Sequence, residues 1–341
     1  DISLREKEKE IQKDLDDGID HIGKKMTVCQ LYAKQMRHRG NVRYNTKNGR
    51  KRLMKLLEED KLGGCPIDSV KLSDAKEWAI RMKEKGISYK TISNDKRSLK
   101  AAFYTAIQDD CIRKNPFDFQ LNTVIEDDTE PKVPLTPAQE ESFLSFAQND
   151  KVYQKYYDEL IILLGTGLRI SELCGLTDTD INFENRIINV DHQLLRSAET
   201  GYYIETPKTK SGIRQIPMSE KVYEAFNRVL KRRRGAKAVT IDGYSNFLFL
   251  NRDGYPKTAT NYDGMFRGLA KKYNKYHEEA LPKVMTPHTL RHTFCTNMAN
   301  AGMNPKALQY IMGHSNITMT LNYYAHATFD SAKAEMLRIA A

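Results

Sequence analysis

Residues 120–137, QLNTVIEDDTEPKVPLTP, hold three prolines and a run of acids, and no helical repeat passes through them. Proline fixes φ and removes a backbone donor, so neither a helix nor an inner strand crosses such a stretch. A chain of 341 residues broken in this way is expected to fold as two bodies joined by an exposed linker, placed at 121–137. Before the break the apolar residues recur at helical spacing throughout. Val28, Leu31, Tyr32 and Gln35 begin one amphipathic helix, and Thr46 to Leu57 form a second. Ser73 is read as the N-cap of a helix carrying Trp78 and Met82, which Gly86 ends. Ser88 opens another, with Ile92, Leu99, Phe103 and Ile107 as its buried stripe. Residues 26–120 are therefore expected to be a small α-helical domain behind a polar connector helix over 1–25.

Beyond the break the pattern is mixed. Gln139–Asn149 and Tyr156–Leu164 read as helices and Arg186–Val190 as a strand. Tyr202–Thr206 and Arg214–Met218 alternate around the polar loop PKTKSG, which predicts a hairpin. Helices resume at Ser219, and Thr289 to Ile339 is almost wholly helical. The expected fold class is mainly α with a small antiparallel β-sheet, with the second domain over 138–328 and a tail helix over 329–341.

Charge narrows the function. Lys and Arg outnumber Asp and Glu by 54 to 44, a formal charge of +10. Residues 34–55 hold nine Lys or Arg and no acid, a block that repels itself unless phosphates neutralise it. A polyanionic partner is expected. No apolar run approaches the roughly 18 residues that span a bilayer. The N-terminal segment has no apolar core of a secretory signal. It also does not begin with Met, which suggests that a longer chain precedes it. Cys29, Cys65, Cys111, Cys174 and Cys295 form no CxxC pair, arguing against a disulfide framework or structural zinc and for a reducing cytoplasm.

Four segments offer groups suited to a phosphodiester. In GTGLRISEL, Arg169 follows a glycine turn and opens a helix. Its fork matches a phosphate, and Glu172 stands ready to orient it. In PKTKSG, Lys208 and Lys210 both reach outward as proton donors. His288 and Arg291 in HTLRH share one helix face at i, i+3. Last, His314 in MGHSNITMTLNYY precedes Tyr323 by nine residues, and a tyrosine becomes a nucleophile where cations and a base favour its anion. Against each stands a plainer reading: a surface Arg–Glu pair, a solvated loop lysine, a histidine satisfied in the core. Metal binding is not expected, because His288, His292, His314 and His326 have no acid at a ligand spacing.

Together, and in this order, these segments resemble the motif set of the tyrosine recombinase, or phage integrase, family, most closely its conjugative-transposon integrases. The resemblance covers most of residues 140–330. It implies a helical, SAM-like core-binding domain ahead of a catalytic domain, the two forming a clamp around DNA. It also implies a small N-terminal arm-binding domain, for which residues 1–25 have no room. The implied reaction is strand cleavage and rejoining through a 3′-phosphotyrosine link, with no cofactor and no metal. The implied catalytic residues are Arg169, Lys208, His288, Arg291, His314 and Tyr323. Loop length leaves Lys210 open beside Lys208. The family's Tyr-x-His pattern leaves Tyr324 open beside Tyr323. Arg43, Lys47, Arg50 and Lys51 are candidates for phosphate contacts, and Lys90, Asn94 and Arg97 for base contacts in the major groove. The expected partners are double-stranded DNA, further copies of the chain as dimer to tetramer, and an excision factor. A type IB topoisomerase shares this chemistry, and an inactive DNA-binding protein would share the basic block. Joining of two DNA sites separates an integrase from both.

Overall fold

In the computed structural model, twelve α-helices and five short strands lie among the described residues, which are 5, 8, 9, 11, 12, 23–40, 42–130, 133–207, 209–233, 239–324, 336 and 337. They gather into two compact units, Asp1–Pro131 and Lys132–Ala341.

The first unit is built from α1 (Val28–His38), α2 (Tyr44–Glu58), α3 (Leu72–Glu84) and α4 (Tyr89–Gln108). Thr27 starts α1 with a reciprocal cap: its hydroxyl accepts from the Gln30 N–H, and the Gln30 side chain accepts from the Thr27 N–H. Trp78, Phe103 and Phe117 centre the core, with Phe117 edge-on to Trp78 at 5.7 Å. Helix α3 begins before Ser73, not after it. Asp74 accepts the Lys71 N–H at 2.8 Å and so moves the cap to Lys71. On α4, Asp95 sits within the apolar stripe and takes both its hydrogen bonds from Arg52 of α2, at 2.6 and 2.7 Å. Arg81 of α3 grips Asp60 with two nitrogens, Nε and Nη2, one to each oxygen, whereas Arg52 meets both Asp95 oxygens with Nη2 alone. Leu121 and Ile125, inside the stretch read as linker, are buried in this core, and Leu135 is buried in the other.

The second unit opens with α5 (Pro137–Asn149), α6 (Tyr157–Thr166) and α7 (Ile170–Gly175). Five strands follow: β1 (Ile181–Asn182), β2 (Ile187–Val190), β3 (Gln193–Ser197), β4 (Gly201–Glu205) and β5 (Arg214–Pro217). The expected hairpin around PKTKSG does not form. Strand β4 pairs with β3, Ser197 opposite Gly201, while β5 pairs with β2, Ile216 opposite Ile188. Two antiparallel sheets result, one ordered β1-β2-β5 and one of β3-β4. Strand β5 does alternate buried and exposed residues against the core, but β4 is half-buried along its whole length, and in neither does the alternation read in the sequence record mutual pairing. Residues 206–213 thus link two sheets.

The remaining helices are α8 (Glu220–Arg233), α9 (Ala259–Tyr276), α10 (Pro287–Asn300), α11 (Pro305–Met312) and α12 (Thr318–Leu321). Apolar α6 packs against α8 and α10, so its C-terminal end delivers the next residues into the middle of the unit. Among the described residues no helix is long and apolar enough to cross a membrane. The connector over 1–25 and the tail over 329–341 lie almost wholly outside the described residues, as does Lys208.

Candidate active site

Helix α6 ends at Gly167, whose φ of +63° is left-handed. A Cβ there would stand 2.5 Å from the Phe294 ring, so both conformation and space demand glycine. The turn sets Arg169 at the N-cap of α7. Glu172, one turn on, accepts the Arg169 N–H at 2.8 Å and its Nη1 at 2.7 Å. This is no surface pair, for the Glu172 side chain is 3% exposed. A second guanidinium, Arg214 of β5, meets the same carboxylate with Nη1 at 3.1 Å and Nη2 at 2.9 Å. Burial alone would raise the Glu172 pKa. Arg214 and Arg169 outweigh it and hold the group down at about 2.

The last turn of α11 gathers the arginines. The Ile311 carbonyl accepts from Arg214 Nε at 2.6 Å, Met312 from Arg291 Nη2 at 2.5 Å, and Gly313 from Arg169 Nη2 at 3.0 Å. Arg291 gives its other terminal nitrogen to the Gly167 carbonyl at 2.5 Å. A helix C-terminus offers unpaired carbonyls and partial negative charge, so guanidiniums settle there. Charge remains unbalanced all the same: three guanidiniums surround one carboxylate. Burial, then the Arg169 charge, lowers the pKa of Arg291 to about 9. An anion with several acceptor oxygens would relieve this surplus.

His314 follows that turn directly. It is buried, and its Nδ1 lies 2.9 Å from the Thr320 hydroxyl. Burial and the charges of Arg291, Arg169 and Arg214 lower its pKa to about 4, so it is neutral at physiological pH. Tyr323 and Tyr324 come just after α12, in a turn rather than in a continuing helix. The Tyr323 ring stands edge-on to His292 at 4.9 Å. Burial and the Cys295 thiol raise its hydroxyl pKa, and Arg291 pulls it partly back. The Tyr324 hydroxyl turns away and donates to the Met303 carbonyl at 2.5 Å. His288 lies exposed in the first turn of α10, while Arg291 is buried. Lys210 is exposed on the loop before β5.

Thus Arg169, Arg291 and His314 meet through Glu172 and the end of α11, with Tyr323 close enough to feel Arg291. Arg214 was missed. Its signal was a charge at an inward position of an alternating run, with Ile216 and Met218 facing the core beside it.

Among the described residues, Asp180, Asp191 and His192 place ligand atoms within 4.8 Å of one another. They suit a brace better than a metal. His192 Nε2 donates to the Gly175 carbonyl at 2.8 Å, and its Nδ1 lies 2.5 Å from Asp191. Both ring nitrogens are thus engaged by protein.

On the first unit Lys90, Asn94 and Arg97 are exposed along one stripe of α4. Lys47 and Lys51 are exposed on α2, Arg50 is half-buried there, and Arg43 sits at its N-cap.

Residues 134–331 match the phage integrase family model. The chain belongs to the phage integrase family. It is a tyrosine recombinase of the conjugative-transposon type, an integrase that cleaves and rejoins DNA. The transposase of transposon Tn916 from Enterococcus faecalis is 69% identical over 338 residues, 99% of this chain and 83% of that protein. The Tn1549 transposon integrase, solved with a circular intermediate DNA, has a TM-score of 0.88 and 78% identity, covering 92% of this integrase and 99% of that chain. A second structure of it, with transposon right end DNA, has a TM-score of 0.87 at 78% identity, covering 93% and 100%.

Proposed function

We propose that this integrase closes its two units as a clamp around duplex DNA and cleaves one phosphodiester by direct attack of Tyr323. The observation that carries this reading is the surplus of guanidinium at the end of α11. Arg169 and Arg291 bind the non-bridging oxygens of the scissile phosphate, stabilising the charge that grows in the pentacoordinate transition state. The Tyr323 oxygen bonds to phosphorus as the bond to the 5′-oxygen breaks, leaving a 3′-phosphotyrosine and a free 5′-hydroxyl. The tyrosine proton passes to His288, and Lys208 protonates the departing 5′-oxygen. His314 is neutral; with the Thr320 hydroxyl donating to Nδ1, its proton sits on Nε2, which donates a hydrogen bond to the phosphate. The 5′-hydroxyl of a partner strand reverses the step, so neither a metal nor a nucleotide cofactor enters.

Two observations support Tyr323 over Tyr324. The Tyr324 hydroxyl is already committed to a backbone carbonyl. In addition, solved forms of the Tn1549 integrase carry an arginine-to-lysine and a tyrosine-to-phenylalanine change that lie 154 residues apart in their numbering, the separation of Arg169 from Tyr323.

In this reading residues 26–120 are the core-binding domain, 121–137 the linker, 138–328 the catalytic domain and 329–341 a tail that docks on a neighbouring protomer. Arg43, Lys47, Arg50 and Lys51 neutralise phosphates, while Lys90, Asn94 and Arg97 face base edges. Dimers to tetramers assemble on DNA in the bacterial cytoplasm, with an excision factor setting direction. The test is a nicked duplex whose short strand diffuses away on cleavage. The native chain should be trapped as a covalent adduct, mapped by peptide mass to Tyr323. The absence of any adduct on transposon-end duplexes would overturn the reading.

A further inference from the structure

Arg214 has no surface to offer a substrate, since its side chain is 0% exposed. Its guanidinium nevertheless reaches two distant segments and folds back on the loop just before it. It holds both Glu172 oxygens, the Ile311 carbonyl before His314, and the Gly212 carbonyl at 3.1 Å in the PKTKSG loop. We propose that Arg214 is a positioning residue for strand cleavage: it braces Glu172, through Glu172 aims Arg169 at the scissile phosphate, and ties the PKTKSG loop to the turn that carries His314. This rests on the reading of Arg169 as a phosphate ligand.

Geometry argues against a merely structural ion pair. An Arg–Glu pair buried in a core contributes little net stability over apolar side chains of equal volume. Here Nε, Nη1 and Nη2 are all used, an arrangement that a lysine ammonium cannot reproduce. The Gly313 turn is moulded onto this side chain, for a Cβ there would lie 3.1 Å from Arg214 Nη1. Glu172, for its part, receives two hydrogen bonds from Arg169 and two from Arg214. Without Arg214 the buried carboxylate loses half of its hydrogen bonds, one at each oxygen, and the group drifts or takes up a proton.

The charged groups facing Glu172 are Arg169 ahead of α7, Arg214 on β5 and Arg291 on α10, with His314 beyond them after α11. Removing Arg214 raises the Glu172 pKa, so its protonation enters a range where cleavage can be measured.

The experiment is single-turnover cleavage of the nicked duplex at saturating protein from pH 5 to pH 8. Arg214→Met should bind DNA as the native chain does yet cleave about 10- to 100-fold more slowly, up to the roughly 10²-fold loss that a remote change can cause by misplacing a reactive group about 1 Å. The ratio of variant to native rate should fall further toward pH 5. Adding Glu172→Gln to Arg214→Met should abolish that further fall. A native rate across the range, or a loss that is uniform with pH, overturns the inference. So does an acid fall that persists in the double variant, which would assign it to His314. Should Arg214→Met fail to fold, Arg214→Lys carries the test: it keeps the charge without the fork, and a native rate there sinks the idea equally. Arg169→Ala, run alongside, separates this from the proposed mechanism. Full cleavage by Arg169→Ala removes the reading beneath the inference. Its loss, with full cleavage by the Arg214 variants, removes the inference alone.

Discussion

The two units bury charge in different ways. In the first, each buried carboxylate has one arginine: Asp60 with Arg81, Asp95 with Arg52. Each pair meets both carboxylate oxygens and balances one charge with one. They pin α3 to the turn after α2 and α2 to α4, and little charge is left over for a ligand. In the second unit Glu172 is shared by Arg169 and Arg214, Arg291 stands beside it, and the surplus donors fall on carbonyls at helix ends. A matched pair cross-links a fold. An unmatched cluster, held in place by backbone carbonyls, keeps a field ready for an anion that arrives later. The lesson is to count partners around a buried charge before assigning it to stability or to chemistry.

That contrast breaks most decisively at the nucleophile. Tyr323→Phe should form no covalent adduct on the nicked duplex, while Tyr324→Phe should form it at close to the native level. An adduct surviving in Tyr323→Phe reassigns the attack. Next comes Arg169→Lys, expected to bind DNA normally but cleave about 10²- to 10³-fold more slowly, because a point charge does not replace a fork in the transition state. Equal losses of binding and cleavage would make Arg169 a general DNA contact.

The matched pairs should behave oppositely. Arg81→Met should cost about 3 kcal/mol of stability, the penalty for stranding a buried carboxylate. Cleavage per bound molecule should stay unchanged at temperatures where the variant is folded, and a selective loss of cleavage would erase the distinction between the units. A smaller effect is expected from His314. Its folded pKa of about 4 lies below the ordinary value, so between these the unfolded chain binds a proton that the folded one does not. Stability is therefore full above the unfolded pKa and is lost as pH falls through this window. Between pH 7 and pH 5 the native chain should lose on the order of 2 kcal/mol more than His314→Asn in denaturant melts. Smallest of all is the effect of chelation. Cleavage in excess EDTA should equal that without it, and activity that returns only with magnesium would overturn a mechanism built on side chains.

Periodicity and punctuation made much of this molecule legible from its residues. The helices of the first unit follow from apolar spacing, and the end of α3 and the start of α4 from Gly86 and Ser88. The four chemical segments were visible because guanidinium, imidazole and phenol are rare in such order by chance, and the basic block at 34–55 announced a polyanion. Only the tertiary structure decided which strands pair. The run after PKTKSG alternates because β5 buries one face, the run before it is half-buried throughout, and burial does not name a partner. The fold alone placed Asp95 in an apolar stripe, Arg214 behind Glu172, and three arginines on three successive carbonyls of one helix end. Those contacts join residues 21 to 144 positions apart, and a local pattern carries no signal across such distances. The choice between adjacent tyrosines has the same character. Both fit the local sequence, and the carbonyl of Met303, 21 residues earlier in the chain, is what engages Tyr324.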